Sequence, residues 1–418
     1  MTAPSEDWSG FTDIPPKSEK YGLVKTVLDS ANFQHLKKCA VDARYKDQTD
    51  LPPDINCSID LDRFATGYEN LVFEVAFSDG IRWIARIPYR TVNSHTKTSL
   101  LSEIATMNLV RQRTTIPVPR IYGFEVKTDD PFGYPYVLME YMSGHKLNNG
   151  LARTLPQYQA KVAKQLANVF AELQNLTFSR IGRIWCGDTL DQPVTIIPMA
   201  VWHHSPGPLE TSLEYFYNQR QGQNRLIMDL YPDDADQLTA CWVLKSALTR
   251  TIVEDRVRGP FPLCHLDFHH RNLLFDDEYN LTGVIDWSRA QAAPLEQLSF
   301  CPNLVNISGR SDERSRQIVE FKKLVINFIR EKEKEKEEEK EHLETQSGGQ
   351  KQEIVEQTLG FTSLSAYMAS ESPEIMFHQS IASPKGSLWA AKRVSKLMYG
   401  EYITWEQLKK VYGYLPLY

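Results

Sequence analysis

Asp267 and Asn272 stand five residues apart in the run His265-Leu266-Asp267-Phe268-His269-His270-Arg271-Asn272, and a second carboxylate, Asp286, follows fourteen residues after Asn272. Those residue types suit phosphoryl transfer. One carboxylate accepts the proton of an attacking hydroxyl, while an amide and a further carboxylate hold magnesium against nucleotide phosphates. Magnesium takes oxygen donors in an octahedron at roughly 2.1 Å, keeps several waters and shares its remaining sites with substrate phosphates, so a dedicated protein cage is not needed. Asp267 is therefore the candidate base, and Asn272 and Asp286 are the candidate metal ligands. The apolar pieces between them must do the positioning. Leu273-Leu274-Phe275 and Leu281 to Ile285 predict two short strands joined by the turn 276–280. A hairpin of that kind brings Asn272 and Asp286 together at its open end.

At these residues the chain resembles the aminoglycoside phosphotransferase family of small-molecule kinases, which includes choline kinase-like enzymes, and especially its fungal members of unassigned substrate. His265-x-Asp267-x-His269-x-x-Asn272, followed by Leu281-Thr282-Gly283-Val284-Ile285-Asp286-Trp287, matches that family's catalytic and metal-binding signature. The resemblance runs, with gaps, from about Phe64 to Cys301. His269 stands where serine/threonine protein kinases place a lysine, and Pro294 comes only eight residues after Asp286, leaving little room for a long activation segment. The resemblance implies an α+β, two-lobed protein-kinase-like fold with a small β-sheet N-lobe and a larger, mainly helical C-lobe. It also implies ATP and magnesium in the cleft between lobes, and γ-phosphoryl transfer to a hydroxyl of a small molecule. By the same resemblance Arg86 takes the place of the ATP-phosphate lysine, with Glu103 as its ion-pair partner. Gly67, in Thr66-Gly67-Tyr68-Glu69-Asn70, belongs to the phosphate-covering loop, and Glu140 and Met142 to the hinge whose backbone meets adenine. Arg86 presents a planar fork where lysine is a point charge, yet it still neutralises phosphate oxygens.

Leu71, Phe73, Val75 and Phe77 alternate with Val72, Glu74 and Ala76, Ser78-Asp79-Gly80 turns the chain, and a second alternating run goes from Ile81 to Ile87. A helix is expected from about Lys97 to Arg113, stopped by Ile116-Pro117-Val118-Pro119, and strands at 120–126 and 134–141. Before them, apolar residues from Val24 to Leu36 predict one helix over 21–40. Beyond the hinge, a helix over 155–176 shows one apolar stripe. The segment 183–235, with Trp202, His203 and His204 in it, is irregular and aromatic; the resemblance places it over the substrate cleft. Residues 331–341 alternate Glu and Lys, with like charges at i,i+4 and opposite charges at i,i+3. The charged stretch 331–352 is read as a solvated helix fraying into a disordered loop. A helix resumes near Ser363, and Thr404 to Gln407 form a capping box. The expected organisation is a flexible tail over 1–20, a nucleotide-binding N-lobe over 21–142 and a C-lobe over 143–418.

The length of 418 residues calls for two lobes, and 42% hydrophobic with 24% charged residues is an ordinary globular balance. A formal charge of −6 supplies no basic field for nucleic acid. No stretch approaches the roughly 20 apolar residues of a membrane span. The six cysteines form no Cys-x-x-Cys pair, and no apolar signal segment opens the chain, so a cytoplasmic protein with reduced thiols is expected.

Three other readings compete. A kinase-like, catalytically weak or inactive nucleotide-binding interaction protein is kept alive by Arg86 and by the single glycine in its loop. A transition-metal hydrolase would use His265, Asp267, His269 and His270, with His203 and His204 as distant ligands. Protein-kinase activity is opposed by His269 and Pro294. Histidines 265 and 269 are read as holding the catalytic loop in shape, and Glu296 as structural. The phosphate acceptor is not legible: nothing in 183–235 forms an acidic pocket for a polycation.

Overall fold

The computed structural model describes residues 8–90, 93–147, 156–199, 207–299, 312–346, 361–370 and 384–414. The chain divides into two compact units. One takes the described residues of Met1–Lys146 with Trp185–Pro193 and Asn272–Ser288; the other takes those of Leu147–Ile184, Val194–Arg271 and Arg289–Tyr418. The boundary expected at 142 thus falls at 146. Residues 272–288, expected in the second unit, belong to the first.

The first unit contains α1 (Glu19–Ser30), α2 (Phe33–Asp47), β1 (Cys57–Ser58), β2 (Phe64–Thr66), β3 (Asn70–Phe77), β4 (Arg82–Pro88), α3 (Ser94–Arg113), β5 (Ile121–Glu125), β6 (Tyr136–Glu140) and β7 (His145–Lys146). An antiparallel sheet runs in the order β1-β3-β4-β6-β5, with β2 also paired to β3. The alternation read from sequence is realised along β3, where Leu71, Phe73, Val75 and Phe77 are buried and the residues between them are half-exposed. Phe33, Phe64, Phe73 and Phe132 interlock beneath the sheet with ring centroids 5.3 to 5.8 Å apart.

Two expectations fail here. The described part of the supposed tail is packed: Ile14 is 3% exposed, Phe11 sits edge-on to Phe64, and the Gly10 N–H donates to the Phe64 carbonyl. Two well-placed apolar residues outweigh the polar composition around them. The single helix over 21–40 is in fact two. The chain breaks at Ala31-Asn32, where the Asn32 side chain accepts from the His35 N–H and starts α2.

The hairpin of the sequence motif forms from strands Leu273–Phe275 and Leu281–Val284, with Leu273 opposite Val284 and Leu274 opposite Gly283. Its turn is tied by the Asp276 carboxylate, which accepts from the N–H groups of Glu278 and Asn280. β7 adds a third strand, Lys146 lying opposite Leu274, and this pairing draws residues 143–146 into the first unit. Gly144 makes the approach feasible: its φ is +129°, and a Cβ there would run into the Thr282 hydroxyl and the Phe275 carbonyl.

In the second unit α4 (Pro156–Asn175) buries Val162, Leu166, Val169, Phe170 and Leu173, the stripe expected from sequence. The strand Phe261–Cys264 lies between Thr177–Phe178 and Gln291–Ala292 in a three-stranded sheet. The unit also contains helices α5 (Ser212–Leu230), α6 (Ala235–Ala247), α7 (Asp312–Gln346), α8 (Leu364–Ala369), α9 (Pro384–Tyr399) and α10 (Trp405–Tyr412), with a single helical turn at Leu295–Leu298. The segment expected to be irregular therefore carries the five-turn helix α5, opened by a Thr211/Glu214 capping box. Residues 331–346 are helical within α7, which packs along α4, and Lys336 Nζ donates to Asn175 Oδ1 at 2.6 Å. Thr404 and Gln407 form the expected capping box of α10. Residues 202–204 and 347–352 lie outside the described residues. Among the described residues no helix is long and apolar enough to cross a membrane.

Candidate active site

In the first unit the β3–β4 ladder puts Arg86 opposite Val72 on one side and Val137 of β6 on the other. Its side chain meets Glu103, on α3, in a bidentate contact: Nη1 to Oε1 at 2.7 Å and Nη2 to Oε2 at 2.5 Å. Both side chains are buried, Arg86 at 9% and Glu103 at 4% exposure. Burial opposes the charge on Arg86, but the Glu103 carboxylate at contact more than offsets it, so the guanidinium titrates above its ordinary value. Asp286 and Glu69 act on the same pair through space. The fork is only partly used. Arg86 Nε is buried with no acceptor among the described residues.

Asn272 and Asp286 are brought together by the hairpin's open end, where the Ile285 N–H donates to the Asn272 carbonyl at 2.9 Å. Asn272 closes a 3₁₀ turn, His270–Asn272, and is 7% exposed. Asp286 is exposed, and its φ is +61°. A non-glycine residue in the left-handed region carries strain that clusters at functional sites, and aspartate is among the side chains that tolerate it best. The kink turns the chain out of the strand directly before Trp287. That indole is fully buried and its N–H donates to the Val284 carbonyl at 2.9 Å, fixing the bend, while the Ser288 hydroxyl donates to Asp286 Oδ1 at 2.7 Å. An amide oxygen, a carboxylate and a partly unsatisfied buried guanidinium in one unit fit magnesium and a nucleotide polyphosphate.

The remaining nucleotide-side residues are placed more loosely. Gly67 lies in the exposed β2–β3 turn, where its N–H donates to the Asn70 carbonyl and the Tyr89 hydroxyl donates to the Gly67 and Tyr68 carbonyls. Its conformation does not require glycine: no positive φ occurs there and a Cβ would meet only Asn70 O at 3.9 Å. The Glu140 carboxylate is committed to its own sheet, accepting the Arg120 N–H at 3.1 Å with Arg111 3.6 Å away. Met142 follows β6 and lies over Gly283, where an added Cβ would sit 3.3 Å from the Met142 side chain.

In the second unit Asp267 follows the buried strand Phe261–Cys264. Phe268 anchors the loop against Phe170, and the His265 ring, 5% exposed, stands edge-on to Phe268. His269 Nε2 lies 3.6 Å from Asp267 Oδ1, while its Nδ1 accepts the Arg271 N–H at 3.2 Å. His269, with Arg289 and His265 adding through space, holds the Asp267 carboxyl below the usual carboxylate range against half-burial that pushes it up. Asp267 is thus a base kept ionised. Sequence reasoning gave His269 only a loop-shaping part; its position two residues from Asp267 was the available signal for its hold on the carboxylate. The αL geometry of Asp286 and the field of Arg289 left no sequence trace. Among the described residues no three His, Cys, Asp or Glu side chains gather as a metal-holding group. The transition-metal reading has no support there, and its distant ligands, His203 and His204, lie outside the described residues.

The phosphotransferase enzyme family APH matches residues 60–297. Among curated proteins, the chain is 29% identical over 127 residues to altered inheritance of mitochondria protein 9 of Yarrowia lipolytica, covering 28% of this chain and 22% of that protein. It is 28% identical over 133 residues to a subtelomeric hrmA-associated cluster protein of Aspergillus fumigatus, covering 32% and 26% respectively. The matched part is thus about a quarter of those relatives' length. Among solved structures, ADP-bound aminoglycoside phosphotransferase APH(2'')-Ib matches at 12% identity over 87% of this chain and 97% of that one, with a TM-score of 0.45. Macrolide 2'-phosphotransferase MphH from Brachybacterium faecium matches at 12% over 91% and 99%, also at 0.45.

Proposed function

The chain belongs to the APH phosphotransferase enzyme family and has its kinase-like α+β fold, and we propose that it transfers the γ-phosphoryl group of ATP to a hydroxyl of a small molecule. The observation that carries this reading is the buried Arg86–Glu103 fork with Asp286 acting on it, in the unit that also holds Asn272. A buried guanidinium fork, a carboxylate acting on it and a buried amide in the same unit are the donor and acceptor types that nucleotide phosphates and magnesium need.

On this reading Arg86, oriented by Glu103, binds phosphate oxygens through the donors that Glu103 leaves free. Asn272 and Asp286 hold magnesium, which when bound neutralises charge building on the phosphates. Asp267, oriented and kept ionised by His269, accepts the proton of the attacking hydroxyl. Glu140 and Met142 offer backbone groups to the adenine, and the Gly67 turn covers the phosphates. Catalysis then lies in positioning and charge stabilisation rather than in covalent chemistry. The acceptor is a hydroxylated small molecule.

The test is magnesium-dependent ATP turnover against a panel of hydroxylated metabolites. Asp267→Ala should keep nucleotide affinity and lower turnover by about a hundredfold or more, the range of positioned acid–base catalysis. Nucleotide binding without turnover in the wild-type chain across the panel would make it a kinase-like binding protein instead.

A further inference from the structure

Arg289 is an exposed cation that the fold itself does not use: among the described residues its guanidinium takes part in no hydrogen bond or ion pair. It closes the 3₁₀ turn Trp287–Arg289, which the buried Trp287 indole anchors. The chain then enters the strand Gln291–Ala292, whose register against Phe261–Cys264 sets Cys264 opposite Gln291 and Leu263 opposite Ala292. Asp267 comes three residues after Cys264, and Arg289 two residues before Gln291. Both therefore leave the same end of this antiparallel ladder, and at about 3.3 Å per residue neither backbone strays more than about 10 Å from it. The ladder is held firmly. The Ala292 N–H donates to the Gly182 carbonyl at 2.9 Å, and the Ala293 N–H to the Pro262 carbonyl at 3.0 Å.

The charge of Arg289 is felt where the register places it. After His269, it helps to hold the Asp267 carboxyl below the usual carboxylate range. It also opposes the burial that raises the Tyr215 hydroxyl on α5. Asp267, His269, Arg289 and Tyr215 all belong to the second unit. The side chains that act most on Asp267 are His269, Arg289 and His265, and each presents positive charge to it. A cationic acceptor would bring like charge to these groups as it offered its hydroxyl to Asp267. An anionic acceptor would instead find in Arg289 a planar fork of donors, matched to two oxygens of a carboxylate or phosphate. On the nucleotide side the first unit already supplies a cation, Arg86.

From these observations we infer that Arg289 binds the acceptor, and that the acceptor is an anionic hydroxyl compound with its carboxylate or phosphate on the Arg289 fork and its hydroxyl at Asp267. The inference rests on the phosphoryl-transfer reading for the part played by Asp267. The contact between Arg289 and an oxyanion can be tested without it.

Glycerol, aminopropanediol, glycerate and glycerol phosphate share a three-carbon alcohol and differ chiefly in charge. Each is offered as acceptor to the full chain with ATP and magnesium, at neutral pH and matched ionic strength. The anionic compounds should show higher kcat/KM than glycerol, and aminopropanediol the lowest. Preference for glycerate alone assigns the carboxylate, for glycerol phosphate alone the phosphate, and for both the shared oxyanion. In Arg289→Met the ratio of anion to glycerol should fall about tenfold, the scale of one hydrogen bond to a charged group, and the fall should lie in KM. Arg289→Lys should recover part of that ratio, and Arg289→Glu should put aminopropanediol ahead of glycerate. An unchanged ratio overturns the inference. So does a loss of kcat shared by all acceptors, which would give Arg289 to the transferring phosphoryl group. If none of the four is phosphorylated, glycerate and glycerol phosphate are titrated calorimetrically without ATP. Binding about tenfold weaker in Arg289→Met then keeps the anion site while counting against phosphoryl transfer; equal binding in both chains, or none, overturns the inference. Turnover without a charge preference sinks the inference and leaves the phosphoryl-transfer reading standing.

Discussion

Glu103→Leu removes one member of a buried ion pair at nearly constant volume and leaves Arg86 with a charge it cannot discard. Stranding one partner of such a pair costs about 3–5 kcal/mol. Two features of this site place the loss at the lower end. Asp286 and Glu69 still act on the guanidinium, and at 9% exposure Arg86 keeps one edge near water. The expected loss is therefore about 3 kcal/mol. Arg86→Met is not its mirror image. It strands a carboxyl that burial already pushes upward, and an acid, unlike a guanidinium, neutralises itself by taking a proton. Arg86→Met should cost less than Glu103→Leu, and its cost should shrink as pH falls. The double variant, apolar at both positions, should return to within about 1 kcal/mol of wild type. Urea unfolding at neutral pH reads all three, provided the denaturant slope is unchanged. A Glu103→Leu chain as stable as wild type, or a double variant as unstable as the worse single one, would refute the reasoning. None of the three variants should turn over ATP.

Two further variants test pH behaviour. His269 depresses the Asp267 carboxyl against burial, so His269→Gln should move the acid limb of a kcat/KM profile to higher pH, and an unmoved limb would remove His269 from its orienting role. Glu296, 1% exposed and accepting the Val253 N–H at 2.8 Å, is pushed by burial up to about 7. Between the ordinary glutamate range and about 7 the folded chain holds this proton and the unfolded chain does not, so stability falls as pH rises through that window. Glu296→Gln keeps the bond to Val253 and should abolish about 3 kcal/mol of that fall, measured by urea midpoints on either side of the window; an equally steep fall in the variant would contradict the assignment.

What the sequence disclosed follows from how locally each feature is encoded. The β3–β4 hairpin was legible because one face is buried and period-two alternation records that directly. The Leu273–Phe275/Leu281–Val284 hairpin was legible because five turn-forming residues separate two apolar runs. The nearness of Asn272 to Asp286 followed from it. The tail was misread because Phe11 and Ile14 act singly, with no period to reveal their burial. The α1–α2 break went unseen because Asn32 is one capping residue within a continuous apolar pattern. Helix α5 was hidden by the amide-rich run from Asn218 to Asn224, which reads as loop by composition although Tyr215, Phe216 and Ile227 bury its core side. The Arg86–Glu103 contact needed a tertiary distance and came only from family resemblance, and the αL turn at Asp286 needed backbone angles that aspartate does not announce.

The central claim is that Asn272 and Asp286 hold the divalent ion that bridges this chain to the nucleotide. Calorimetric titration with a non-hydrolysable ATP analogue, with and without magnesium, tests it most directly. Asparagine tolerates the left-handed backbone at 286 (φ +61°), so Asp286→Asn should fold as wild type does. Magnesium should tighten nucleotide binding in the wild-type chain and lose most of that effect in Asp286→Asn. Equal tightening in both chains, or wild-type affinity indifferent to magnesium, would contradict the account.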